Sequence, residues 1–181
     1  MGENLTPKTD FGFDVIEKGD HRMKVKETGI DPAAEGKLTG RTYWAKLSVV
    51  GGSQEGAQHT ERFSENQKDG TMNTFGLSKL AGFLLKLGVI KNPNGIDSDL
   101  FKTKEFEEKW LKGIPGKELG VNTGYRYDKL DTKKETPYSD IRKYYSLDEY
   151  LALVNKGTTP MPGPTGNTGT TSKSPTPSPF D

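Results

Sequence analysis

Residues Arg41–Val50 alternate apolar and polar side chains with a period of two, and their β-branched and aromatic content favours a strand. One face carries Tyr43, Ala45, Leu47 and Val49, an ordinary core stripe; the other carries Trp44, Lys46 and Ser48. The same period marks His21–Glu27, where Met23 and Val25 oppose Arg22, Lys24 and Lys26. Between them, the glycines and proline of residues 28–40 predict a long loop, making the two strands an antiparallel hairpin. A third strand is predicted over Gln58–Ser64, with Phe63 inward and Thr60 and Arg62 outward. His59 within it reads as a surface or strand-edge residue rather than a ligand. Over Thr71–Leu87 the period changes: Leu77, Leu80, Ala81, Leu84 and Leu87 fall on one helical face. An N-cap lies among Thr71, Asn73 and Thr74, and Gly88 sits where a left-handed C-terminal cap belongs.

The second half of the chain is patterned in the same way. Asp97, Ser98 and Asp99 lack the spacing of a calcium loop and read as a structural loop. Thr103–Leu111 predicts a short helix capped by Thr103 and docked through Phe106 and Trp110. Glu118–Tyr127 sets Leu119, Val121, Thr123, Tyr125 and Tyr127 against Gly120, Asn122, Gly124 and Arg126. In Tyr138–Tyr145, Ile141 and Tyr145 are placed inside and Arg142 and Tyr144 outside; a charged, exposed loop at 129–136 joins the two strands. Ser146-Leu147-Asp148-Glu149 is a capping box opening a helix over Leu147–Val154. At the N-terminus, Phe11, Phe13 and Val15 alternate as in an extended arm. Residues 157–181 hold six prolines, four glycines and ten serines or threonines, too little apolar surface to offset the entropy of ordering. The chain therefore divides into a domain at 1–156 and a disordered tail at 157–181.

Composition narrows the chemistry. No cysteine is present, so disulfides, thiolate metal sites and Cys nucleophiles are excluded, and two histidines cannot build a His-rich metal centre. No cofactor is predicted. Phosphate-cradling Gly-Lys loops, zinc-protease motifs and nucleophile elbows are missing, and a catalytic role is not expected. No apolar run is long enough to span a bilayer and no signal peptide opens the chain, so no membrane association and a cytoplasmic location are expected. The net charge is only +1, so attraction to a polyanion requires cations gathered on one face.

The strand registers predict such gathering. Their outward set is Arg22, Lys24, Lys26, Trp44, Lys46, Ser48, Thr60, Arg62, Asn122, Arg126, Arg142 and Tyr144, with acids confined mostly to strand ends such as Asp140. Cations interleaved with flat aromatic rings suit single-stranded nucleic acid, which offers a π-face and a phosphate at every nucleotide. Three strands, a helix and two strands is also the element order of the OB-fold, a five-stranded Greek-key barrel that binds oligonucleotides. The candidate DNA-binding residues are thus Arg22, Lys24, Lys26, Trp44, Lys46, Arg62, Asn122, Arg126, Arg142 and Tyr144.

With the basic strand His21–Lys26, the helix over 71–87, Gly124-Tyr125-Arg126-Tyr127, Tyr138–Tyr145 and a polar tail closing on Phe180-Asp181, the chain resembles bacteriophage single-stranded DNA-binding proteins. That resemblance implies an OB-fold, sequence-independent binding of single-stranded DNA in phage replication, recombination or repair, and location in the host cytoplasm. It also implies a tail that recruits replication or recombination proteins, here through Phe180 and Asp181. Tails of that family are strongly acidic, whereas this one offers only Asp181 and the chain terminus. RNA as ligand and assembly into a homo-oligomer are left open by the residues. The rival reading is a non-catalytic protein-interaction or virion-structural β-barrel, in which Trp44 and Tyr144 would be buried between subunits.

Overall fold

The structure, a computed structural model, describes residues 15–92, 97–130, 132–133 and 137–157. The alternating Phe11 and Phe13, most of the predicted tail, and Phe180 and Asp181 lie outside these residues. Five strands form one antiparallel sheet in the order β3-β2-β1-β4-β5: β1 Gly19–Asp31, β2 Thr42–Val49, β3 Gln58–Ser64, β4 Glu118–Tyr127 and β5 Pro137–Tyr145. Three α-helices accompany it: α1 Thr74–Lys86 between β3 and β4, the short α2 Lys104–Glu108, and α3 Leu147–Gly157 after β5. The described chain is mainly β with α. None of its helices is long and apolar enough to cross a membrane.

β1 is longer than its pattern predicts. Residues 28–31, expected to open the loop, pair with Ala45 back to Thr42 as a continuation of the strand. A bulge between Val25 and Glu27 leaves Lys26 as an extra residue, which shifts the alternation by one and hides the second half of the strand from a period-two reading. The helix starts later than expected. Residues 65–73 fold back on themselves, with Gln67 N–H donating to Thr71 O at 2.7 Å and Asn73 N–H to Glu65 O at 2.8 Å. Asn73 then caps α1 by accepting from Gly76 N–H at 2.9 Å.

The inward faces of the strands meet α1 and the segment around α2. Met23, Val25, Tyr43, Ala45, Leu47, Phe63, Leu119 and Val121 are fully buried, together with Leu80, Phe83 and Leu84 of α1 and with Ile16. Trp110, in a π-helical turn following α2, lies at the centre of this core with ring centroids 5.9 Å from Tyr43, 6.1 Å from Phe106, and 6.2 Å from Phe63 and from Phe83. Its indole N–H donates to Gly29 O at 3.0 Å, and its carbonyl accepts from the Thr28 hydroxyl at 2.6 Å. The core therefore grips the second half of β1 directly. The capping box opening α3 is formed as read: Ser146 N–H donates to Glu149 Oε2 at 2.7 Å and Glu149 N–H to Ser146 Oγ at 3.2 Å.

β3 and β5 are the sheet's two edges, and α1 packs against both. Between them lies a polar cluster. Glu61 on β3 is buried and takes Lys79 Nζ of α1 at 2.7 Å, while His59 Nε2 stands 3.6 Å from its other oxygen, just beyond hydrogen-bonding length. Tyr144 of β5 closes the cluster; its ring meets Phe83 at 5.4 Å and its hydroxyl is buried without a hydrogen bond among the described residues. Burial and the Glu61 charge push that hydroxyl far above the usual phenol range. Tyr144 is thus an inward residue, contrary to its expected place on the outer face. The β5 bulge explains the change: Asn122 pairs with Lys143 but Thr123 with Ile141, so Arg142 is an extra residue that reverses the alternation.

Candidate nucleic-acid interface

The outer face of β1, β2 and β3 follows from their registers. Opposed residues of an antiparallel sheet point the same way, which aligns Gly29, Trp44 and Arg62 in one row and Glu27, Lys46 and Thr60 in the next. A further row joins Asp31, Thr42 and Ser64. Trp44 is half-buried, and its indole lies across β1 at Gly29: a Cβ on Gly29 would overlap ring atoms Cζ2 and Cε2. Glycine within a strand often marks a close approach of this kind. Gly29 carries Trp44 on one side and accepts the Trp110 hydrogen bond from the core on the other.

The indole is fixed at its edge as well. Trp44 Nε1–H donates to Asp31 Oδ1 at 3.0 Å, and Arg62 Nη1 donates to Asp31 Oδ2 at 2.9 Å. Lys46 Nζ stands 3.6 Å from Glu27 Oε2, and Arg22 Nε donates to Glu118 Oε2 at 2.7 Å. Lys24 and Lys26 make no ion pair with another described residue, and Lys26 is exposed on its bulge. The face is therefore less basic than the sequence predicts: three acids stand among its cations, Asp31 and Glu118 at strand ends as expected and Glu27 within β1. Glu27 is brought there by the bulge, which pairs it with Lys46 in the place Lys26 would have taken. Ser48, expected beside Trp44 and Lys46, is buried.

No protein-family model and no curated protein matches this chain. The remaining predicted residues do not join Trp44. Asn122 donates to Asp20 Oδ1 at 2.7 Å, in the row of Lys143, which stands over the Tyr145 ring at 4.8 Å. Nearby, Tyr150 of α3 lies on Gly120, where a Cβ would collide with its side chain, so the C-terminal helix covers the outer face of β4 beside Arg22. Arg142 lies similarly over Gly124 and donates to Tyr125 O at 3.1 Å. Arg126 and Arg142 line a separate groove of about 670 Å³ between α1 and β5, shared with Phe75 and Lys143. Two patches replace the single face expected: a platform around Trp44 on β1–β3, and a basic groove beside α1.

Gly29 and Asp31 are the residues that sequence reading missed, since both fell in the predicted loop. Their signal is present in hindsight of the register: a glycine opposite a tryptophan, two residues from an acid opposite a threonine. Gly29→Ala is expected to tilt the indole off the sheet, because the methyl group must displace it. The check is Trp44 solvent accessibility by acrylamide quenching, which should rise while the thermal melting curve moves by only a few degrees. An unchanged quenching constant would show that the ring does not rest on Gly29.

Proposed function

We propose that this protein binds single-stranded DNA without sequence preference, using the outer face of β1, β2 and β3 as a platform for a stacked base and its flanking phosphates. The observation that carries this reading is Trp44, a large half-buried ring set against a glycine on the outer side of the sheet, with Lys46 and Arg62 as strand neighbours. The ring is only half-buried, which leaves part of it for a base; base–aromatic stacking is worth about 1–3 kcal/mol and tolerates any base. The strand order and the helix between β3 and β4 support an OB-type sheet, in which β1 pairs with both β2 and β4 and α1 spans the gap between the edges. The loop at 32–41 flanks the strands as the L12 loop of such a barrel does. The phage-type resemblance supplies the setting of replication, recombination or repair, with the tail as a tether for partner proteins.

A titration of fluorescently labelled oligo-dT against the full chain at two salt concentrations tests this reading. Affinity should fall with salt on a log–log slope of about −2 or steeper, since each neutralised phosphate of a single strand contributes about 0.7. Duplex of the same length should bind more weakly. A flat salt dependence, or tighter binding of duplex, contradicts the proposal and favours the protein-interaction barrel.

A further inference from the structure

We infer that Asp31 holds a phosphate subsite: its carboxylate occupies the place, between Trp44 and Arg62, that a backbone phosphate of the bound strand takes by displacing it. The inference rests on the single-strand-binding reading given above. Two donors from different strands converge on this one acid, Trp44 Nε1–H on Oδ1 at 3.0 Å and Arg62 Nη1 on Oδ2 at 2.9 Å. Indole and guanidinium groups donate and never accept, so the cradle they form fits only an acceptor, and its cation selects an anion. A phosphodiester presents the same pair of anionic oxygens as a carboxylate, and arginine is well suited to grip either.

Position and exposure make the exchange feasible. Asp31 is the last residue of β1, where the chain leaves the sheet for the loop at 32–41. The Arg62 and Asp31 side chains are 59% and 52% exposed, so their ion pair is weakly held and readily replaced. A nucleotide whose base stacks on Trp44 carries its phosphate at the periphery of the ring, where the indole N–H and the guanidinium both lie. Glu27 and Glu118 also face cations, yet each meets a single lysine or arginine and no ring N–H. Asp31 alone among these acids joins the stacking residue to a cation. Once displaced, its carboxylate takes up a solution cation as the phosphate releases one, so the unmodified protein shows a salt slope shallower than its phosphate contacts warrant.

The experiment is an anisotropy titration of labelled oligo-dT at two sodium chloride concentrations with wild type, Asp31→Asn, Asp31→Ser, Arg62→Gln and the Asp31→Asn/Arg62→Gln double variant. Both Asp31 variants should bind about threefold to tenfold tighter at low salt, with a slope steeper by about 0.7, the share of one phosphate on a single strand. Adding Arg62→Gln should abolish that gain. If wild type binds while both Asp31 variants bind equally or less tightly with an unchanged slope, Asp31 only positions Trp44 and the subsite assignment is wrong. If wild type does not bind oligo-dT at all, the failure lies with the single-strand-binding reading itself.

Discussion

Trp110→Ala is expected to destabilise the protein by about 3–5 kcal/mol, the range for deleting a large buried aromatic whose cavity cannot collapse. Four aromatic partners surround the ring, and none can fill its volume without leaving its own strand or helix. The loss extends beyond packing, because Trp110 N–H satisfies Gly29 O, and Gly29 in turn supports Trp44. Trp110→Phe keeps most of the volume and removes that hydrogen bond, which should cost roughly 1 kcal/mol or somewhat more. Urea unfolding followed by far-UV circular dichroism separates the two variants. Equal, small losses would mean that this region is not the core.

The second large effect concerns the buried acid at the sheet edges. Lys79→Met removes the cation that lies 2.7 Å from Glu61 and should cost about 3 kcal/mol, since a buried charge left without its partner is strongly destabilising. Replacing both members, with Glu61→Leu added, should recover most of that loss, because the desolvation penalty disappears together with the pair. The pair also sets acid sensitivity. Burial alone would raise the Glu61 carboxyl, but His59 and Lys79 outweigh it and hold the group below its usual value. A lowered folded-state value gives stability that is complete above the ordinary carboxylate range and lost as pH falls through the lowered value. Denaturation measured at pH 7 and pH 3 should therefore show a smaller acid loss in Glu61→Gln than in wild type. An equal loss in both would assign acid unfolding to other carboxylates.

Much of the fold was legible because its signals were local. Gln58–Ser64 and Glu118–Tyr127 form strands over the predicted residues, the Thr103 cap and buried Phe106 and Trp110 follow from helical spacing, and Ser146–Glu149 closes its capping box. The strand faces that were misread beyond Val25 and Ile141 are traceable to two bulges. Each inserts one residue, Lys26 on β1 and Arg142 on β5, and each reverses the faces beyond it. Nothing in a single sequence marks such an insertion, because the extra residue is specified by the partner strand. The first bulge hid Gly29 and Asp31 inside a predicted loop and exchanged Lys26 for Glu27 beside Lys46. The second turned Tyr144 inward against Phe83. The candidate site thus kept Trp44, Lys46 and Arg62 as a group, while Arg126 and Arg142 went to a separate groove.

The acids on the platform have a further physical meaning. A face with net charge close to balance does not attract every polyanion, and its exposed ion pairs contribute little to folding, on the order of 0–1 kcal/mol each. Such pairs can exchange partners without loss of structure. On the proposed single-strand reading, stacking on Trp44 is the interaction that a single strand can make and a duplex, with its bases paired inside, cannot.

Trp44→Ala separates a stacking platform from a merely structural side chain. Oligo-dT affinity and thermal unfolding are measured on the same variant at low salt. Affinity should weaken by about 1–3 kcal/mol, with a melting temperature within a few degrees of wild type because the ring lies on the outside of the sheet. A sharply lowered melting temperature with affinity unchanged in the folded fraction would contradict the stacking role, and would make Trp44 a cover for Gly29 and nothing more.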